Sequence, residues 1–170
     1  MSAIAIDRVH AATPELEAFI AAHHAEMVGT APPESQHALP LDGLLRAGAR
    51  LFAGTVDGRI VATGALVVVE PQHEELKSMR IDPSVRGRGL GRTLVRFLLD
   101  DAVARDVTRV SLETGRDEFF LPARTLYAAA GFRECEAFGR YLPDPHSAFL
   151  TLELPHGSAA PEPSHAIMNG

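Results

Sequence analysis

The chain has 170 residues, the length of one domain, and its hydrophobic content of 46% is enough for a buried core. A net charge of −6 argues against nucleic-acid binding, and no apolar run approaches the roughly 18 residues that span a membrane. A single cysteine, Cys135, excludes an intramolecular disulfide, and the N-terminus shows no secretory signal. We therefore expect a cytoplasmic protein that binds neither nucleic acid nor membrane.

The first half of the chain predicts strands, helices and a hairpin. Thr13-Pro14-Glu15 combines a cap residue, a proline and an acid in the order that begins a helix. Asp57-Gly58 is the strongest signal for a tight hairpin turn. The predicted elements are a strand at Ile4–Val9, a helix from Thr13, a loop at Thr30–Pro40, a short helix at Leu41–Ala47, and strands at Leu51–Val56 and Ile60–Glu70.

The second half predicts two amphipathic helices between strands. Leu90, Leu94 and Leu98 share one helix face. Pro122 suits the first turn of a later helix, and Gly131 suits its C-terminal cap. The predicted elements are a strand at Glu75–Ile81, a helix from Leu90 through Val103, a strand at Val107–Thr114, a helix at Leu121–Ala130, and strands at Phe132–Tyr141 and Ala148–Leu154.

This order mixes antiparallel hairpins with helical crossovers, which favours a mixed α/β sheet over a doubly wound parallel one. We expect a central, mostly antiparallel sheet of about six to seven strands flanked by about four helices. Residues 1–154 form the predicted domain. Residues 155–170 are rich in Pro, Ser, Ala and Gly and predict a flexible C-terminal tail.

A run of glycines and arginines, Arg86-Gly87-Arg88-Gly89-Leu90-Gly91-Arg92-Thr93, follows a predicted strand and opens a helix. Glycines let backbone N–H groups approach a ligand, and a helix N-terminus adds partial positive charge, so the run predicts a phosphate or pyrophosphate site. The dinucleotide pattern would need glycine in place of Arg92 or Leu94, and the P-loop would need lysine in place of Thr93. A glycine-rich turn without a ligand remains the alternative.

The segment Val85–Gly91 resembles the acetyl-CoA signature of GNAT acetyltransferases. The strand Ser111–Gly115 and the helix Ala123–Phe132, similar to the family's LY-x-x-x-GF element, follow in the family's order. The loop Pro32–Leu39 and the turn Asp144–Ser147 resemble a bacterial subgroup of small-molecule N-acetyltransferases. The resemblance covers nearly the whole chain. It implies a GNAT-like fold, acetyl-CoA as cosubstrate, and direct acetyl transfer to a primary amine of a small molecule, amino acid or peptide.

The resemblance also implies which residues hold the cosubstrate. The pyrophosphate binds the loop amides, and the pantetheine arm pairs with the preceding strand. The implied contacts are Met79, Ile81, Arg86, Gly87, Arg88, Gly89, Leu90, Gly91, Arg92 and Thr93. The asparagine that many members carry before the last helix is missing, and Phe119 and Phe120 there either contact the cofactor arm or cap the core. Family members often pair, so a homodimer is expected.

Catalysis needs a base, because a lysine-like acceptor amine has a pKa of about 10.4. Glu75 is the first candidate: strict alternation places it in one row with Met79 and Ile81, where a charge indicates a bulge or an open cleft. Glu113, on the neighbouring strand, is the second. For both, the alternative is a solvent-exposed strand residue. Tyr127 matches the family's proton donor to the CoA thiolate, although its helical stripe alone would indicate a core tyrosine.

Acceptor contacts are predicted on two loops, at Glu34, Ser35, His37 and His146, although turn chemistry explains these residues equally well. The histidines show no metal-ligand spacing, so we predict no metal. One competing hypothesis is a non-catalytic acyl-CoA-binding module, which would need neither Glu75 nor Tyr127. Another is a nucleotide-binding protein, against which the missing P-loop lysine argues.

Overall fold

The computed structural model describes residues 3–155. This part of the chain contains four α-helices and seven strands, with short 3₁₀ helices at Pro33–Ser35, Pro83–Val85 and Glu118–Phe120. The helices are α1 (Pro14–Met27), α2 (Leu41–Arg46), α3 (Leu90–Ala104) and α4 (Leu121–Ala129). The strands are β1 (Ala5–Arg8), β2 (Arg50–Val56), β3 (Arg59–Glu70), β4 (His73–Ile81), β5 (Arg109–Gly115), β6 (Arg133–Glu134) and β7 (Ser147–Glu153).

The seven strands form one sheet in the order β1-β2-β3-β4-β5-β7-β6. All neighbouring pairs are antiparallel except β4 and β5, which confirms the predicted mixed, mostly antiparallel sheet. The parallel pair is short: only His73–Glu75 lies opposite Arg109–Ser111. Beyond Glu75 and Ser111 the two strands continue without pairing to each other. This divergence opens a cleft in the middle of the sheet.

Hydrophobic cores lie on both faces of the sheet. On one face, α3 and α4 cover a cluster that includes Leu66, Leu94 and Leu98. On the other face, α1 and α2 cover a cluster that includes Ile20 and Leu44. Complete burial of such a side chain contributes roughly 1.5–3 kcal/mol, so the two clusters hold the helices in place on either side of the cleft.

Local sequence signals account for several element ends. The Thr13 hydroxyl accepts a hydrogen bond from the Leu16 amide at 3.2 Å and caps α1, as its position predicts. Asp57 and Gly58 adopt φ values of 50° and 76° and make the tight turn between β2 and β3, which confirms the predicted hairpin. These elements depend on neighbours in the sequence, and the pattern therefore predicts them well.

The predicted strand Phe132–Tyr141 is wrong over most of its length, because only its second and third residues form β6. Residues 135–146, here called the covering segment, leave the sheet edge and fold over its face. Two aromatic rings explain the departure: Phe138 and Tyr141 pack against Phe149 of β7, with ring centroids 6.0 and 5.5 Å apart. Burial of these rings replaces edge pairing as the source of stability.

The predicted tail over 155–170 lies, apart from Pro155, outside the described residues. The boundary of the domain at residue 154 therefore stays a prediction. Within residues 3–155, the structure contains no helix with the length and apolar character required to cross a membrane.

Candidate active site

A cavity of about 720 Å³ occupies the cleft between β4 and β5. It runs along β4, from the loop Arg86–Arg92 that follows this strand to Glu75 near its start. Glu113 on β5 lines the side opposite Glu75. The loop is called the cofactor end below, and the part around Glu75 and Glu113 the acceptor end. The sheet divergence therefore brings the predicted loop and the predicted carboxylates into one cavity.

A β-bulge interrupts β4 in the middle of the cleft. Ala65 of β3 lies opposite Lys77, but Thr63, two residues earlier, lies opposite Arg80. One extra residue is therefore inserted in β4, and Ser78 adopts a left-handed φ of 53°. Such a bulge reverses which face of the sheet the following side chains occupy.

The bulge corrects the predicted row of side chains along β4. Leu76 belongs to the core cluster under α3, and after the bulge Met79 and Ile81 pack against the same cluster. Glu75 and Lys77 therefore lie on the opposite face from Met79 and Ile81. The predicted row of Glu75, Met79 and Ile81 is wrong, because strict alternation fails at the bulge. From the sequence, the charge of Glu75 in that row indicates either a bulge or an open cleft. The structure contains the bulge.

The cofactor end is built from backbone. Gly87 and Gly89 adopt φ values of 78° and 79°, a region that side chains other than glycine rarely occupy. A Cβ atom placed on either would have no neighbour within 4 Å, so this side of the loop is open. The N–H groups of the first turn of α3 are free to bind a ligand, and the loop fits a pyrophosphate. Gly91 has another role: a Cβ there would lie 3.1 Å from Leu126, so glycine permits close packing on α4.

Charged side chains link the cofactor end to α1. Glu26 of α1 pairs with Arg86 at 3.1 Å and with Arg80 of β4 at 2.6 Å. Burial opposes ionisation of Glu26, but the two guanidinium groups hold its pKa below the ordinary value. Arg86 also donates to the carbonyl oxygen of Ile81 at 3.1 Å. The first residue of the loop is thus fixed from two sides.

The predicted cofactor contacts line the cavity with two exceptions, Arg88 and Thr93. The Thr93 hydroxyl donates to the Gly89 carbonyl oxygen at 3.2 Å and stabilises the first turn of α3 instead. Phe119 and Phe120 both line the cavity beside the helix that follows them. The two alternatives for these rings are contact with the cofactor arm and capping of the core. Because both rings line the cavity, the structure favours contact with the cofactor arm.

At the acceptor end, three side chains form a hydrogen-bonded triangle. The Lys77 ammonium lies 3.0 Å from Glu75 Oε1 and 2.7 Å from the Tyr141 hydroxyl, which itself donates to the same Glu75 oxygen. The side chains of Glu75 and Lys77 are each only 12% exposed. Burial, followed by the charge of Glu75, raises the pKa of Tyr141, so its hydroxyl keeps its proton. Lys77 compensates the charge of Glu75.

Glu113 is in a different environment. Burial raises the pKa of this carboxyl, and a hydrogen bond from the Ser147 hydroxyl at 2.7 Å, together with positive charge from His37 and Lys77, opposes the rise only in part. A carboxylate with a raised pKa is a better proton acceptor at neutral pH than an exposed one. Of the two predicted base candidates, Glu113 therefore has the more suitable environment.

The predicted acceptor contacts are only partly brought together. Ser35, His37 and His146 line the acceptor end of the cavity, whereas Glu34 is exposed and lies outside it. The His37 ring packs edge-on against Tyr141 at 5.0 Å. Turn chemistry is present as well, because the Asp144 carboxylate accepts from the His146 amide at 2.8 Å.

Tyr127 of α4 belongs both to the core and to the cavity. It is 6% exposed, packs against Phe132 at 5.7 Å, and lines the cavity. Burial raises the pKa of its hydroxyl, which keeps the proton at neutral pH. Among residues 3–155, no side chain or backbone group forms a hydrogen bond with this hydroxyl. It is therefore free to donate to a ligand in the cleft.

Residues 12–132 match the acetyltransferase (GNAT) family. The chain belongs to the GNAT family. The Escherichia coli K12 protein YedL, an uncharacterised N-acetyltransferase, is 36% identical to it over 148 residues, which are 87% of this chain and 93% of YedL.

Solved GNAT structures share the fold. A Klebsiella pneumoniae protein assigned as an acyl-CoA N-acyltransferase has a TM-score of 0.71 and 31% identity, with 89% of this chain and 97% of that chain covered. A GNAT acetyltransferase from Elizabethkingia anophelis with acetyl-CoA bound has a TM-score of 0.64 and 17% identity, with 89% and 98% covered. The protein is an acetyl-CoA-dependent acyltransferase, and the two competing hypotheses, a non-catalytic module and a nucleotide-binding protein, lose their support.

The geometry of this GNAT domain fits acetyl-CoA. The open glycine loop leaves room for a pyrophosphate, and within residues 3–155 no strand pairs with β4 beyond Glu75 on the β5 side. Its backbone groups there can pair with an amide-bearing arm, as in β-strand addition. No three His, Cys, Asp or Glu side chains of residues 3–155 gather as metal ligands, and the expectation of no metal stays a prediction.

Sequence reasoning missed two residues of the GNAT acceptor end, Lys77 and Tyr141. Lys77 carried a usable signal, because a strand places residues two apart on one face and Glu75 is its neighbour in that row. Tyr141 carried none, since its place depends on the covering segment folding back over the sheet.

Proposed function

We propose that this acyltransferase moves the acetyl group of acetyl-CoA directly to a primary amine of a small molecule, an amino acid or a peptide. The observation that carries the proposal is the pair of carboxylates, Glu75 and Glu113, on the two walls of the acceptor end. An acceptor amine enters mainly as an ammonium ion, because its pKa is about 10, and must lose a proton before it reacts. Buried carboxylates bind an ammonium ion and can accept that proton.

Glu113 is the proposed proton acceptor. Its raised pKa matches the task, whereas the Oε1 oxygen of Glu75 already accepts from Lys77 and Tyr141. Glu75 lines the same end of the cavity and holds the triangle in place. This assignment reverses the order in which the two carboxylates are ranked from sequence, and it does so on the basis of their surroundings.

Tyr127 is the proposed proton donor. Acetyl-CoA supplies an activated acetyl group: a carbon–nitrogen bond forms, the carbon–sulfur bond breaks, and the sulfur needs a proton. The hydroxyl of Tyr127 keeps its proton and has no hydrogen-bond partner within residues 3–155, so it can donate at the sulfur position. Protons thus leave the amine through Glu113 and reach the sulfur from Tyr127.

The test has two stages. Thermal unfolding with acetyl-CoA, CoA and ATP side by side should show a rise in Tm with both CoA species and none with ATP, because binding to the native state stabilises it. Thiol release from acetyl-CoA is then measured with panels of primary amines and of alcohols. Release with amines alone supports the proposal. Release with alcohols alone, or binding without release on any amine, contradicts it.

Two further expectations belong with this function. We propose a cytoplasmic enzyme, in keeping with its single cysteine. We also propose a homodimer, on the basis of the family resemblance, and sedimentation analysis of the purified chain tests it.

A further inference from the structure

Lys77 has one hydrogen-bond donor more than its partners use. An ammonium group carries three N–H donors, and Glu75 and Tyr141 accept two of them. Within residues 3–155, Lys77 donates no third hydrogen bond. Its side chain is 12% exposed and lines the acceptor end of the cavity. A charged donor that is nearly buried gains stability when its remaining N–H finds an anionic partner.

Charge balance at the acceptor end indicates the kind of partner. Lys77 and Glu75 compensate each other, so Glu113 remains as the charge that faces an incoming ammonium ion. A second positive group on the acceptor, as in a diamine, would lie beside Lys77 and be repelled. A carboxylate on the acceptor would instead bind the unused donor of Lys77.

Resting on the proposed amine acetylation, we propose that the acceptor is an amino-acid-type molecule, in which a carboxylate lies next to the reacting primary amine. Lys77 binds the carboxylate, and Glu113 binds the amine. Tyr141 is a positioning residue, because its hydroxyl holds the Lys77 ammonium at 2.7 Å while its ring is fixed between His37 and Phe149. The covering segment thereby decides where the carboxylate is bound.

Matched acceptor pairs test this proposal directly. Thiol release is measured with L-amino acids, each beside its decarboxylated amine: phenylalanine with phenethylamine, histidine with histamine, and lysine with cadaverine. Rates are expressed per concentration of free base, which removes the difference in amine pKa. We expect kcat/KM for the preferred amino acid to exceed that of its amine by about 10- to 100-fold, the range of one charge-assisted hydrogen bond.

Two substitutions distinguish recognition of the acceptor carboxylate by Lys77 from simple neutralisation of Glu75. Lys77→Met should bring the ratio within each pair to about 1, mainly through KM, whereas Lys77→Arg should keep part of the preference because it keeps the positive charge. If Lys77 only neutralises Glu75, Lys77→Met lowers both members of each pair equally and the ratio stays. That result would overturn the proposal, as would wild-type preference for the amines.

A binding measurement covers the case of undetectable turnover. Calorimetric titration of the CoA-saturated protein with each pair should show tighter binding of the amino acid, and Lys77→Met should remove the difference. Equal binding, or no amino-acid binding, overturns this inference even where other amines are acetylated. Failure of the proposed function gives a different pattern, since no primary amine of any kind would then release thiol.

Discussion

The two ends of the cleft are built from different parts of the chain. The cofactor end relies on backbone: one short run of sequence, with left-handed glycines at Gly87 and Gly89, exposes N–H groups at the start of α3. The acceptor end relies on side chains from segments far apart in sequence. Its principal members are His37, Glu75, Lys77, Glu113, Tyr141 and Ser147.

This difference separates what the family shares from what an individual enzyme can vary. Backbone N–H groups are present whatever the side chains are, so most substitutions at the cofactor end should leave the binding of acetyl-CoA unchanged. Side-chain recognition changes with one substitution on β4, β5 or the covering segment, while the sheet and its cores stay intact. Substitutions at the two ends should therefore have separable effects on the acceptor and on acetyl-CoA.

The largest effect is expected from Glu113→Gln. Loss of a proton acceptor should lower kcat/KM for the amine by about 10²–10⁴-fold and remove the low-pH limb of its pH profile, with the Kd of acetyl-CoA unchanged. The limb should lie above the usual range of a glutamate, because burial raises the Glu113 pKa. Glu75→Gln is the matched control and should keep the limb. The opposite pattern would assign the base to Glu75.

The next largest effect is expected from Tyr127→Phe. Loss of the proton donor should lower kcat by about 100-fold with little change in KM. The substitution breaks no hydrogen bond within residues 3–155, so the unfolding midpoint in urea should stay or rise. Stopped-flow thiol release and urea unfolding measure both quantities. An unchanged kcat would mean that Tyr127 is a core residue only.

At the cofactor end, Gly89→Ala should weaken acetyl-CoA binding by about 10- to 100-fold, because the left-handed backbone costs alanine roughly 1–2 kcal/mol and the loop must move to relieve it. Gly48→Ala is a matched control: Gly48 has φ of 70° and equally open surroundings, away from the cleft. Calorimetry should show a Kd change for the first variant alone. Equal changes in both would contradict a backbone site.

The smallest effect concerns stability and His23 of α1, which lines the cavity. Burial, then the charges of His24 and Arg80, lowers the pKa of His23 to about 4. The unfolded chain thus binds this proton more readily, and stability is lost as pH falls through the range from 6.5 towards 4. Between pH 7 and 5 the loss should be about 1 to 2 kcal/mol. His23→Gln should flatten this part of the urea-unfolding profile, and an unaltered slope would contradict the assignment.

The same contrast explains what the sequence could predict. Thr13, the Asp57-Gly58 turn and the glycine loop act through adjacent residues, so their patterns identify them. Glu113 could be named as a candidate but is ranked below Glu75 from sequence, because its pKa depends on burial and on Ser147, which comes from another strand. Tyr141 was predicted in the wrong element, since alternation of residue types does not reveal that aromatic burial outweighs edge pairing.

The inserted residue at Ser78 makes β4 a natural crossover point for chimeric enzymes. If residues 73–77, the part of β4 before Ser78, are exchanged between relatives, the exchange would carry Glu75 and Lys77 and with them the proposed acceptor preference. Exchange of residues 79–81 alone, at the end of β4, would carry Met79 and Ile81 and should leave that preference unchanged. Deletion of Ser78 would remove the extra residue and restore regular alternation, with Met79 and Ile81 still on the core face and Arg80 still on the opposite face. The sheet and its cores should therefore form without the bulge, and acceptor kinetics of this variant would show what the bulge contributes to the cleft.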